Sequence, residues 1–194
     1  EDTADIITHD DIENHAHLKC LLNGTYNINT GEFVEEFSRD NIILQQIPRN
    51  YDVTKTYEEI DKLTTQIVSD KIDRQMFYDT ISLCLHPYNG VYQQWGGVGI
   101  QGSGKGQLEV LVSLTLGKKN CSHTPIHLLA TDLTLQKECA YDMCVFDTEV
   151  SDENVNHLET IKKWVTQDPF TGRGIYGHKT TFRPSSRLMF TTNK

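Results

Sequence analysis

Hydrophobic positions change their spacing along the chain, and the changes mark out its elements. Up to about Asn50 there is little helical periodicity. Within that stretch, alternating apolar residues in Tyr26–Val34 flank an Asn29-Thr30-Gly31 turn, which predicts a β-hairpin. Tyr57, Ile60, Leu63, Ile67 and Val68 then recur at helical spacing over Thr56–Lys71. Thr56 is the expected N-cap, and Glu59 three residues on would complete a capping box. Met76, Phe77, Ile81 and Cys84 predict a second helix over Asp73–Leu85, stopped before His86-Pro87.

From about Val91 the pattern becomes strand, loop, helix. Val98-Gly99-Ile100 leads into a glycine-rich turn, and Leu108–Leu116 reads as a strongly apolar helix. Ile126–Ala130 and Met143–Phe146 are short apolar runs, and Val155, Leu158, Ile161 and Trp164 mark an amphipathic helix. Leu188-Met189-Phe190 forms a last apolar strand. Buried runs alternating with helices predict an α/β fold whose parallel sheet is covered on both faces. The expected division is an N-terminal segment with the hairpin (1–55), a small helical bundle (56–90) and an α/β core (91–194).

Composition changes this picture little. The 194 residues are 37% hydrophobic and 23% charged, ordinary for a soluble domain. No stretch approaches the roughly 18 apolar residues of a membrane helix. The acidic start, Glu1-Asp2-Thr3-Ala4-Asp5, lacks the pattern of a signal peptide, so the expected location is intracellular and soluble. The five cysteines (Cys20, Cys84, Cys121, Cys139, Cys144) contain no Cys-x-x-Cys pair and indicate neither a zinc ribbon nor a disulfide framework. Cys84 and Cys144 read as small core residues. His9, His15 and His17 lie in a polar segment and read as part of a solvated terminus rather than a metal site.

The distribution of charge is more informative than its sum. Net charge is −9, yet Pro169–Lys194 contains five basic residues and no acidic one, which leaves −14 on the first 168 residues. Such a balance excludes a protein that coats nucleic acid over its whole surface and suggests one local anion-binding stretch.

The chemistry begins at Gly99-Ile100-Gln101-Gly102-Ser103-Gly104-Lys105, which satisfies G-x-x-x-x-G-K between an apolar strand and an apolar helix. Glycines allow backbone N–H groups to converge on phosphate oxygens, the helix N-terminus adds its positive dipole, and Lys105 reaches the β- and γ-phosphates. Gly99, Gln101, Gly102, Ser103, Gly104, Lys105, Gly106 and Gln107 are therefore the expected nucleotide-binding residues. Gly106 stands where Ser or Thr usually supplies a hydroxyl to Mg²⁺, so that ligand must come from Ser103 or from water. Asp147 and Glu149 close an apolar strand two residues apart, as acids that hold Mg²⁺ through water and orient a lytic water would. Asn193 ends the last apolar strand.

Together, in this order, these elements resemble the superfamily 3 helicases, in particular the poxvirus-type primase–helicases of viruses, phages and plasmids. The resemblance extends to Leu22–Phe33, similar to the "NG…TGE" hairpin of that family, and to Gln46–Asp52. It continues through Ile161-Lys162-Lys163, Thr166-Gln167-Asp168, Arg173, Tyr176, Phe182-Arg183-Pro184 and Leu188–Asn193. Thr-Gln-Asp replaces the family's Gly-Gly-Asp, and Gly106 its Ser or Thr. The resemblance implies an AAA+-like P-loop core and a replicative DNA helicase that uses ATP and Mg²⁺ and forms a hexamer around single-stranded DNA. A primase domain or partner is possible. Lys105, Asp147, Glu149 and Asn193 would be catalytic. A β-hairpin over about Arg173–Arg183 would touch the DNA backbone through Arg173, His178, Lys179 and Arg183, positioning the strand without reading bases. By the resemblance Asn193 is the family's sensor-1 asparagine and the arginine finger lies beyond it, so these residues are expected to be part of a longer protein and to hydrolyse ATP slowly alone. Two other readings stay open: a degenerate AAA+ module kept for assembly, favoured by Gly106, and a nucleoside monophosphate kinase, favoured by Gly102-Ser103-Gly104-Lys105-Gly106.

Overall fold

The computed structural model describes residues 7–88, 90–147, 150, 157–173 and 179–193. The chain forms two compact units, Glu1–Asp52 and Val53–Lys194.

In the first unit a short helix α1 (His9–Asn14) precedes a three-stranded antiparallel meander, β1 (Leu18–Leu21), β2 (Gly24–Asn27) and β3 (Glu32–Val34). Thr8 and Asp11 close a capping box on α1, a signal absent from the apolar pattern. The β2–β3 hairpin has the expected turn, with Tyr26 opposite Phe33, Asn27 opposite Glu32, and Gly31 at φ 75°. Gly24 is obligatory in a different sense: a Cβ there would come within 2.1 Å of the Val34 carbonyl oxygen. The later segment folds back onto this meander. Asn23 accepts from Tyr51 N at 2.8 Å and donates to Tyr51 O at 3.0 Å, while the Tyr51 ring lies 4.6 Å from Phe33 and 5.2 Å from Tyr26. The two stretches that carry the resemblance in this region thus pack together.

The second unit opens with α2 (Glu58–Ile67) and α3 (Lys71–Leu85). The expected Thr56 cap is not formed; Tyr57 precedes α2 and gives no side-chain bond. Asp70 instead caps α3, accepting from Ile72 N and Asp73 N, so that helix begins two residues earlier than its apolar pattern suggests. A four-stranded sheet follows, built from β4 (Trp95–Gly99), β5 (Cys121–His123), β6 (Cys144–Asp147) and β9 (Arg187–Asn193). Its order is β4-β9-β6-β5 and every pairing is parallel. The last strand of the chain therefore lies between β4 and β6.

Helices α4 (Lys105–Leu116), α5 (Ile126–Thr131), α6 (Leu133–Cys139) and α7 (Leu158–Val165) link the strands. Ile126–Ala130 is thus helix and not strand; Ile126 and Leu129 point inward three residues apart, while Leu128 is exposed. The strand is the preceding Cys-Ser-His, an edge strand too short and polar to show as an apolar run. The amphipathic helix starts at Leu158, and Val155 lies outside the described residues. Leu129, Ala140, Val145, Trp164, Phe182 and Leu188 form one buried cluster, with the Trp164 indole donating to Ser186 Oγ at 3.1 Å. Cys84 and Cys144 are buried as expected. A second antiparallel pair, β7 (Phe170–Arg173) and β8 (Lys179–Phe182), sits between α7 and β9 in sequence. No described helix is long and apolar enough to cross a membrane.

Candidate nucleotide-binding site

All four sheet strands run the same way, so their carboxyl ends share one edge, where ligands of open α/β sheets bind. β4 ends at Gly99, directly beside Asn193 at the end of β9. β6 ends at Asp147, beside Phe190 of the same strand. Residues 100–104 wrap from β4 into α4, with Gly102 at φ 79° and Gly104 at φ 91°, the left-handed region that side chains resist. Gly104 also lies under α2, since a Cβ there would meet Ile67 Cγ1 at 2.9 Å.

The loop closes on its own lysine. Lys105 Nζ donates to Gly99 O at 2.9 Å, Ile100 O at 2.9 Å, Asn193 Oδ1 at 3.1 Å and, more weakly, Ser103 Oγ at 3.5 Å. These four partners are neutral oxygens, a weak solvation for an ammonium and one that an anionic phosphate would improve. Gly106 stands at the second position of α4, and among the described residues nothing lies within 4 Å of an added Cβ, so a serine meets none of them. Gln101 and Gln107 complete the expected set in the loop and the first turn of α4.

Asp147 is buried, and its Oδ2 accepts from Ile126 N at 2.8 Å. One carboxylate oxygen is thereby held at the start of α5. Glu149 lies outside the described residues, but its neighbour Val150 is fastened to β9: Val150 N donates to Thr191 O at 3.2 Å, and Thr192 Oγ1 donates to Val150 O at 3.1 Å. Among the described residues no group of three or more His, Cys, Asp and Glu side chains is placed to hold a metal ion.

Periodicity gave no sign of Glu109, one turn after Lys105. It is buried in α4 and accepts from Thr191 Oγ1 at 3.1 Å. Burial pushes its carboxyl above the ordinary range, opposed by the Thr191 bond and the nearby His123; the Asp147 charge pushes the same way as burial. A groove of about 1030 Å³ runs from the loop along β4, between Ile67, Asp73, Met76, Trp95, Ser103 and Lys105.

The expected DNA-binding residues divide. Arg173 and Lys179 face each other in register at the far end of the β7–β8 pair, and His178 lies outside the described residues. Arg183 stands at the foot of the pair, half-buried, with Nε donating to Gln167 O at 3.2 Å and its guanidinium 5.7 Å from the Tyr88 ring. Arg187, counted in the basic stretch, is buried and donates to Val91 O at 2.6 Å and Leu83 O at 3.4 Å. Part of the basic stretch thus works inside the fold.

Residues 2–70 match the family described as D5 N terminal like. The fold is similar to the apo structure of the NrS-1 C terminal region in its A form, at a TM-score of 0.57 and 17% identity over 73% of this chain and 34% of that one. Another apo structure of the same region gives a TM-score of 0.51 and 16% identity, over 78% of this chain and 35% of that chain. The chain spans about a third of the length of these solved structures. No curated protein matches the sequence.

Proposed function

We propose that this chain is the ATP-binding core of a DNA helicase of the primase–helicase type, which hydrolyses ATP to move along single-stranded DNA. One observation carries the reading: the P-loop lysine and the terminal asparagine of the neighbouring parallel strand meet at 3.1 Å, with the acid-ended strand next in the sheet. That places a cation, an amide and a carboxylate at one sheet edge, the groups needed around a triphosphate and its lytic water.

The residues fit the nucleotide. Loop N–H groups of residues 100–104 and the α4 terminus would bind the phosphates. Lys105 would exchange its carbonyl partners for β- and γ-phosphate oxygens. Asn193 would sense the γ-phosphate, and Glu149 is proposed as the base that orients water. Mg²⁺ bound with the nucleotide neutralises phosphate charge, and Asp147 would help to hold its water shell. The β7–β8 pair, with Arg173 and Lys179 at its far end, is the proposed DNA contact, and His178 is proposed to share it. A hexameric ring, an arginine finger supplied from outside these residues, and a primase domain or partner belong to the same proposal. The family match at residues 2–70 supports it, as does the fold shared with the NrS-1 region. Titration with a fluorescent ATP analogue tests it first. Binding that falls about 10- to 100-fold in Lys105→Ala agrees with the loss of a charge-assisted contact; equal binding by both proteins removes the site.

A further inference from the structure

Helix α4 and strand β9 are joined by two side-chain bonds, and only the first involves a residue of the P-loop motif. Lys105 and Glu109 are four apart on one helix face, a rise of about 6 Å. Asn193 and Thr191 are two apart on one strand face, a rise of about 6.6 Å. The near match lets Lys105–Asn193 and Glu109–Thr191 form as parallel rungs, each 3.1 Å long. Thr191 also anchors the segment that follows Asp147, because its carbonyl accepts from Val150 N at 3.2 Å.

Folding alone does not explain Glu109. It shares the buried side of α4 with Leu108, Val112, Ser113 and Leu116, and an apolar residue would avoid desolvating a carboxyl group. We infer that Glu109 is a positioning residue for triphosphate recognition: through Thr191 it fixes the end of β9 against α4 and so sets where the Asn193 amide stands relative to Lys105. The inference rests on the nucleotide-binding reading above. Asn193 lies at the γ-phosphate end of the site, so a looser rung would weaken triphosphate binding and leave diphosphate binding alone.

Affinities for ADP and for a non-hydrolysable β,γ-imido triphosphate, measured on the wild type and on variants, test this. Thr191→Val keeps shape and strand propensity but removes the hydroxyl; Glu109→Gln keeps an acceptor, and Glu109→Leu does not. Thr191→Val and Glu109→Leu are expected to lower the preference for triphosphate about fivefold, the scale of one hydrogen bond, with ADP affinity within about twofold of wild type. Glu109→Gln should keep the wild-type preference. In an Asn193→Ala background, Thr191→Val should cause no further loss, because it acts through Asn193. A parallel weakening of both nucleotides would mean a merely structural role and overturn the inference. So would an unchanged preference in Thr191→Val, multiplying effects of Thr191→Val and Asn193→Ala, or a wild type without preference for triphosphate. A wild type that binds neither nucleotide would instead defeat the functional reading itself.

Discussion

Gly106 offers the sharpest perturbation, because the structure states what a side chain there would meet. Glycine inside a helix costs about 1 kcal/mol relative to alanine, and serine about half of that. With no atom of the described residues within 4 Å of the added Cβ, Gly106→Ser meets no opposing strain from them. Stability should rise by about 0.5 kcal/mol, or roughly 1–2 °C in Tm for a unit of this size. The hydroxyl would also take the place of a water on Mg²⁺, worth about 1 kcal/mol, or roughly fivefold in affinity for Mg·ATP. Calorimetric titration with ATP, in Mg²⁺ and then in excess chelator, separates the two effects. The affinity gain should vanish with chelator while the Tm gain stays. A serine variant that binds Mg·ATP more weakly, or whose gain survives chelation, would show that residue 106 does not face the metal.

Other predictions follow from particular residues. Lys19 is buried with its Nζ on Ala16 O at 2.6 Å, and desolvation lowers its pKa to about 8. The unfolded chain keeps that proton to about 10.4, so the folded state gains stability as pH rises between those values, by up to about 3 kcal/mol. Lys19→Met should therefore stabilise at pH 7, and its advantage should shrink toward pH 10. Comparing the two proteins by chemical denaturation isolates this from the half-buried thiol of Cys121, pushed up to about 12, which acts in the opposite sense. A constant advantage across that range would refute the assignment. Gln167 is buried at φ 57°, and its Nε2 has no hydrogen-bond partner among the described residues. Gln167→Gly should raise stability by about 1 kcal/mol by relieving left-handed strain and an unpaired amide, and a fall in Tm would count against it. Lys179→Ala should weaken single-stranded DNA binding and reduce its salt slope by about 0.7. An unchanged slope would remove the β7–β8 pair from the DNA-binding argument.

What the sequence made legible was whatever a backbone must do regardless of its surroundings. The P-loop is written in glycines that accept positive φ and in a lysine at the start of a helix, and the β2–β3 turn in Asn-Thr-Gly. Fully buried strands such as β6 show as apolar runs. β5 does not, because an edge strand needs few apolar residues, and the apolar run after it belongs to a two-turn helix. Neither the insertion of β9 between β4 and β6 nor the burial of Glu109 has a local signature. Both depend on which elements meet, and an acid in a helix reads as solvent-facing until its partner strand is known. Gln167 is the converse case. The resemblance expects glycine in Thr-Gln-Asp, and the left-handed backbone there gives the physical reason for that expectation.

The most direct test of the central claim is ATP turnover with single-stranded DNA or nucleoside monophosphates added in parallel. The account predicts turnover stimulated by DNA and abolished in Lys105→Ala and Glu149→Gln. Phosphoryl transfer to a monophosphate would make the protein a kinase. Nucleotide binding without DNA-stimulated turnover, even with an arginine finger supplied, would make it an assembly module, and either result would contradict the account.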